Sequence, residues 1–180
     1  MNKLVPVIVL LAGLHAYAQL PVSIETPQSK IAQFAQRTGT LINRQVTDIG
    51  VVRGLKVQVI VVSDMIAGGK ASGVKIEPVA AETNPANRPT ALLDPDEVDA
   101  LIKSIEFLKS DIFNTYPDVY VDAFYTANDG FSIGAYFSEK QWRGSVRLNK
   151  YESAPPVYFR APDDFNVLLD LLRQARTKIK

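Results

Sequence analysis

The chain has 180 residues, 47% of them hydrophobic, with 20 Lys and Arg against 19 Asp and Glu, one histidine and no cysteine. That apolar content supports a buried core and excludes a disordered chain, and the charge balance leaves no global field to draw nucleic acid or anionic lipid. Without cysteine neither a disulfide nor a thiolate metal site can form, so stability rests on packing.

Met1 to Ala18 reads as a cleavable export signal: Lys3 supplies the positive start, Leu4 to Leu14 the short apolar core, and Ala16-Tyr17-Ala18 the small-x-small site. The run is too short to span a bilayer, and no membrane span is expected. Cleavage after Ala18 would leave 162 residues and remove Lys3 and His15, so the mature chain would carry 19 basic and 19 acidic residues and no histidine. The expected address is the periplasm or the outside of the cell, and the expected mature unit is a single α+β domain over residues 19–180.

Thr26-Pro27 opens a segment, Gln28 to Arg37, in which Ile31, Phe34 and Ala35 form one helical face, with strand as the alternative. Gly39 to Val52, Leu55 to Ser63 and Gly73 to Glu77 carry the strand signal, joined by Arg53-Gly54 and by the loop Ala67 to Lys70. Pro78 to Pro89 is proline-rich and aperiodic, which predicts an exposed loop. Beyond it a short strand enters a helix over 94–113, where Asp94 can cap, Pro95 suits the first helical position and Glu97 can close a capping box.

The same order then repeats. Val119 to Ala127 and Phe131 to Ser138 flank the turn Asn128-Asp129-Gly130, Trp142 to Asn149 alternates apolar and polar residues, and Val157 leads into a helix over 162–178. Pro95, Val98, Leu101, Ile102 and Ile105 recur 67 positions later as Pro162, Phe165, Leu168, Leu169 and Leu172. The second helix has Ala161 where Asp94 stood, so its start is the weaker one. The expected fold is therefore α+β: duplicated ββββα units, residues 39–114 and 119–179, forming two antiparallel sheets backed by helices whose apolar stripes make the core.

This twice-repeated order resembles the whirly and PUR-type folds, in which two four-stranded antiparallel sheets are backed by helices. Those families bind single-stranded nucleic acid through basic grooves and aromatic platforms, so the resemblance implies that chemistry as one alternative. It implies no site residue, and the leader and the neutral charge depart from the pattern. The leader, Arg37-Thr38-Gly39-Thr40, Leu93-Asp94-Pro95-Asp96-Glu97 and Ala175-Arg176-Thr177-Lys178-Ile179 together resemble a family of small exported bacterial proteins, a resemblance that implies no activity.

Acidic residues offer the first candidate chemistry. Asp94, Asp96 and Glu97 could hold a hard cation, but helix capping explains them, and Asp163 and Asp164 are read the same way. Asp64 ends a strand as turn chemistry allows. Asp118, Asp122, Asp129 and Glu139 lie near strand ends, and a pair of them could serve glycoside hydrolysis, although nothing in their spacing selects one. A serine nucleophile would need lysine as its base once histidine is gone. No catalytic residue, cofactor or metal is assigned.

The candidate ligand site is the polar face of the second sheet. Alternation along Trp142 to Asn149 turns Arg143 and Arg147 outward, and along Phe131 to Ser138 it turns Tyr136 outward among small residues. Tyr125 is expected to join them, giving two tyrosines and two arginines that could hold a sugar, a peptide or a base. The leading expectation is a non-enzymatic binding or scaffold protein of the bacterial envelope, its partner an envelope protein or glycan. The alternatives are a carboxylate-dependent hydrolase of envelope polysaccharide and a single-strand nucleic-acid binder.

Overall fold

A computed structural model describes residues 28–79, 89–149 and 155–179. The leader with its cleavage point, Thr26-Pro27 and most of the Pro78 to Pro89 loop lie outside them. The elements run α1 (Lys30–Ala35), β1 (Ile42–Val52), β2 (Leu55–Asp64), β3 (Lys70–Pro78), β4 (Ala91–Leu93), α2 (Pro95–Phe107), β5 (Asp122–Thr126), β6 (Ser132–Ser138), β7 (Gln141–Arg147), β8 (Val157–Arg160) and α3 (Asp163–Arg176). Strands β1 to β4 and β5 to β8 form two four-stranded sheets in chain order, every pair antiparallel. The fold is thus α+β, built of two ββββα-like units.

Local chemistry explains most boundaries. Arg53 and Gly54 both take positive φ, 50° and 78°, the mirror-type turn whose twist suits a two-residue hairpin. Asp94 occupies the N-cap of α2 with Pro95 as the first helical residue, and the Glu97 carboxylate accepts the Asp94 N–H at 2.9 Å. Beyond Phe107 the helix widens over Leu108–Ile112, where Phe113 N donates to Leu108 O at 2.9 Å, an i to i+5 bond. Helix α3 starts one residue later than its counterpart: Pro162 is its cap position and supplies no side-chain hydrogen bond, while the Asp164 carboxylate accepts the Arg160 N–H at 2.7 Å.

One buried cluster joins the inner faces of both sheets to the stripes of α2 and α3. Val57, Val59, Val74 and Ile76 come from the first sheet, Ile133, Ala135, Val146 and Phe159 from the second, and Val98, Leu101, Ile105, Phe165, Leu168 and Leu172 from the helices. Helix α3 crosses β1, β2 and β3 of the other unit as well as its own β8. Small residues set how closely it can lie: a Cβ on Gly50 would meet Leu171 at 2.5 Å, and one on Gly144 would meet the Phe165 ring at 2.4 Å. Phe165 stacks edge-on with Phe113 and Phe159, ring centres 5.1 and 5.6 Å away, which ties the end of α2 to β8.

The turn between β6 and β7 places Glu139 and Lys140 at φ 52° and 62°, a region that favours glycine. Lys140→Gly should therefore stabilise the protein by about 1 kcal/mol, the left-handed penalty outweighing glycine's extra chain entropy. A rightward shift of the urea midpoint with unchanged slope would show it.

Candidate functional site

The two sheets differ in what lies on their outer faces. On the first, α1 covers Ile60 and Val62 with Ile31 and Phe34, close enough that a Cβ on Gly73 would meet Ile31 at 2.2 Å. Asp94 holds α1 there, its carboxylate accepting the N–H groups of Lys30 and Ile31 at 2.7 and 3.1 Å. On the second sheet no described helix takes the equivalent place. Its outer face carries Phe124, Tyr136 and Tyr158 with Tyr120 at the margin, and Tyr120, Tyr158 and Phe124 are 67%, 57% and 46% exposed.

Register fixes which side chains share that face. Tyr136 pairs with Arg143 on one side and Asp122 on the other, Ser132 with Arg147 and Thr126, and Ser145 with Tyr158. The Phe124 ring lies over Gly134, where a Cβ would meet Phe124 Cδ1 at 2.7 Å. Among these aromatics opens a cleft of about 550 Å3, floored by Thr126, Ser132, Ser138 and Ser145 and bounded by Arg147. A second cleft of about 580 Å3, toward Tyr116 and Val119, shares Tyr120 and Ser138 with it.

Tyr136, Arg143 and Arg147 thus stand on one face, as alternation requires. Tyr125 does not join them, which corrects its expected place: it pairs with Ile133 on the inner side, and its hydroxyl donates to the Glu97 main-chain oxygen at 3.1 Å. Burial, then the nearby Glu97 charge, push that phenol up to about 12. Phe124, Tyr120 and Tyr158 take part instead. The signal for Phe124 and Tyr158 was a strand register, which depends on hairpin closure rather than on local sequence.

Most charges near the face are paired. Arg143 pairs with Glu139 across the turn, and Arg160 and Arg53 lie 3.8 and 3.3 Å from the Asp164 carboxylate. Arg147 is exposed and has no ion pair or side-chain hydrogen bond among the described residues. Tyr120 donates to Asp122 at 3.1 Å, and its phenol is raised by burial first and by that carboxylate second.

Several acidic candidates are engaged in holding the fold, whereas Asp118 is exposed at the second cleft with no side-chain partner among the described residues. The Asp64 carboxylate accepts from the Thr40 hydroxyl and from the N–H groups of Ile66 and Ala67, at 3.1 and 2.8 Å for the latter two. The Thr40 hydrogen bond, with the loop N–H groups and Arg37 behind it, holds Asp64 below the usual carboxylate range. Asp96 pairs with Lys30 in the open. Glu97 and Asp129 knit the units together, accepting N–H groups from Asn128 at 2.8 Å and Leu92 at 2.9 Å. Among the described residues no three acidic or histidine side chains are placed to hold a metal ion.

Burial raises both Glu97 and Asp129 above the ordinary carboxylate range. A carboxyl whose folded value is raised binds more protons folded than unfolded, so its share of stability is full below the unfolded value and is lost as pH rises through the folded one. Urea unfolding at several pH values should show a shallower decline toward neutrality in Glu97→Gln than in wild type.

Two strings with catalytic precedents are explained by their placement. Gly130-Phe131-Ser132-Ile133-Gly134 has the spacing of a nucleophile elbow, but Ser132 begins a hairpin strand instead of a strand-to-helix turn. Ser72-Gly73-Val74-Lys75 runs along β3, where residues three apart point to opposite faces, and Lys75 meets Glu77 at 2.7 Å. Comparison of the chain with protein-family models, with curated proteins and with solved structures finds no match.

Proposed function

We propose that this protein is a non-enzymatic binding module of the bacterial envelope and that the outer face of its second sheet is the binding surface. The observation that carries the reading is the aromatic, hydroxyl-floored cleft beside Arg147, which no described helix covers, whereas α1 covers the corresponding face of the first sheet. Aromatic rings with tyrosine hydroxyls offer area and hydrogen bonds at low entropic cost. Three of the four carboxylates considered for hydrolysis support the same reading, since Asp129 is bonded to main-chain N–H groups, Glu139 to Arg143 and Asp122 to Tyr120, and Asp118 stands alone at the second cleft.

The envelope address rests on the leader. Sequencing the N-terminus of the protein recovered outside the cytoplasm should begin at Gln19, and recovery of the intact chain in the cytoplasm alone would reject it. For binding, the immobilised protein should retain a glycan or peptide fraction of the envelope that the Arg143→Ala/Arg147→Ala double variant releases. Turnover of glycans, peptides or esters with defined kinetics would overturn the reading. The whirly and PUR-type resemblance supports nucleic-acid binding as a second reading, and the few unpaired cations at the two clefts among the described residues, Arg147 and Lys140, weigh against it.

A further inference from the structure

We infer that the ligand of this face is an acidic polysaccharide chain, its sugar rings laid on Tyr158, Tyr136 and Phe124 and a carboxylate held by Arg147. The inference rests on the outer face being the binding surface, and it names the ligand class. Three features select it. First, the cleft opens over the face of the sheet, not along the free edges of β5 and β8, so a ligand lying in it meets side chains; an extended peptide would instead seek an open strand edge and its free N–H and C=O groups. Sugar rings suit what is offered, because their C–H faces pack on the negative face of an aromatic ring while their hydroxyls reach serine and threonine.

Second, the two clefts adjoin through Tyr120 and Ser138, which makes a track from the face of the sheet to the turn between β6 and β7 and suits a chain rather than a lone sugar. Third, the charge is sparse. Arg143 and Arg160 are engaged by Glu139 and Asp164, and Asp122 and Asp118 add negative charge, so among the described residues Arg147 in the first cleft and Lys140 in the second remain for an incoming anion. A phosphate at every nucleotide needs several such cations, whereas an occasional carboxylate needs one, and the planar guanidinium matches a carboxylate in a paired hydrogen bond.

Titration calorimetry of the protein with an oligogalacturonate, a cello-oligosaccharide of equal length and an oligothymidylate tests this. Expected is preferential binding of the oligogalacturonate, weakened about tenfold by Arg147→Gln to the level of the neutral chain, as for loss of one charge-assisted bond. Tyr158→Ala should weaken both sugars. Both substitutions are at exposed positions, so an unchanged melting curve confirms folding. Equal binding of the neutral chain, or no loss in Arg147→Gln, overturns the acidic ligand while leaving the face a glycan site. Tighter, steeply salt-dependent binding of oligothymidylate replaces the polysaccharide with nucleic acid. If none of the three binds, the polysaccharide is rejected, and the retained envelope fraction decides the rest: its loss in Tyr158→Ala keeps the face as the binding surface, and its indifference rejects that reading too.

Discussion

Leu168→Asp should abolish cooperative folding. Leu168 is 2% exposed on α3, inside the single cluster that joins both sheets. A carboxyl there has no partner among the surrounding Leu, Val and Phe side chains, and burying it, even protonated, on top of the lost leucine packing costs an amount comparable with the roughly 5–15 kcal/mol by which domains are stable. Leu168→Ala sets the lower bound, about 2–5 kcal/mol for the lost transfer energy and the cavity. Leu101, fully buried at the same place on α2, should behave alike. Circular dichroism and urea titration read both. A soluble Leu101→Asp/Leu168→Asp protein with unchanged melting would reject the helix-centred core.

Gly134→Ala should cost about 3 kcal/mol and release β5 from the sheet. The added methyl would sit 2.1 Å from the Ala123 carbonyl oxygen and 2.7 Å from Phe124 Cα, contacts no side-chain rotation can relieve. Overpacking of this kind typically costs 1–3 kcal/mol, and here the obstacle is backbone, which places the effect at the upper end. Because β5 is an edge strand paired only to β6, it can yield by detaching. Amide exchange should therefore rise across Asp122–Thr126 while β7 stays protected, and ligand retention should fall with it, since Phe124 would lose its seat. Unchanged exchange in β5 would refute the close approach.

Much of this was legible in local sequence. Alternation in Phe131 to Ser138 and Trp142 to Asn149 assigned every side chain to its face, because strand period is two and the buried positions are unambiguous. The 67-residue recurrence of proline, acid and apolar stripe announced both helices. Tyr125 was not legible: Val119 to Ala127 alternates weakly, and its pairing with Ile133 is set by the three-residue turn at Asn128-Asp129-Gly130 and by where Glu97 lies. Asp94 was read as a cap of its own helix, yet its carboxylate also reaches back to anchor α1, a contact 63 residues away in sequence.

The sequence by itself determined the near-balance of charge, net +1, the lack of cysteine, the repeated strand and helix order, and the outward turn of Tyr136, Arg143 and Arg147. These follow from composition and from short-range periodicity. Only the tertiary structure decided that α1 would cover one sheet while no described helix covers its sister, and that Phe124 and Tyr158 would stand beside Arg147 while Tyr125 turned inward. Those outcomes depend on register and on which distant segment reaches a face first, and both are set by long-range packing that a single strand's pattern does not encode.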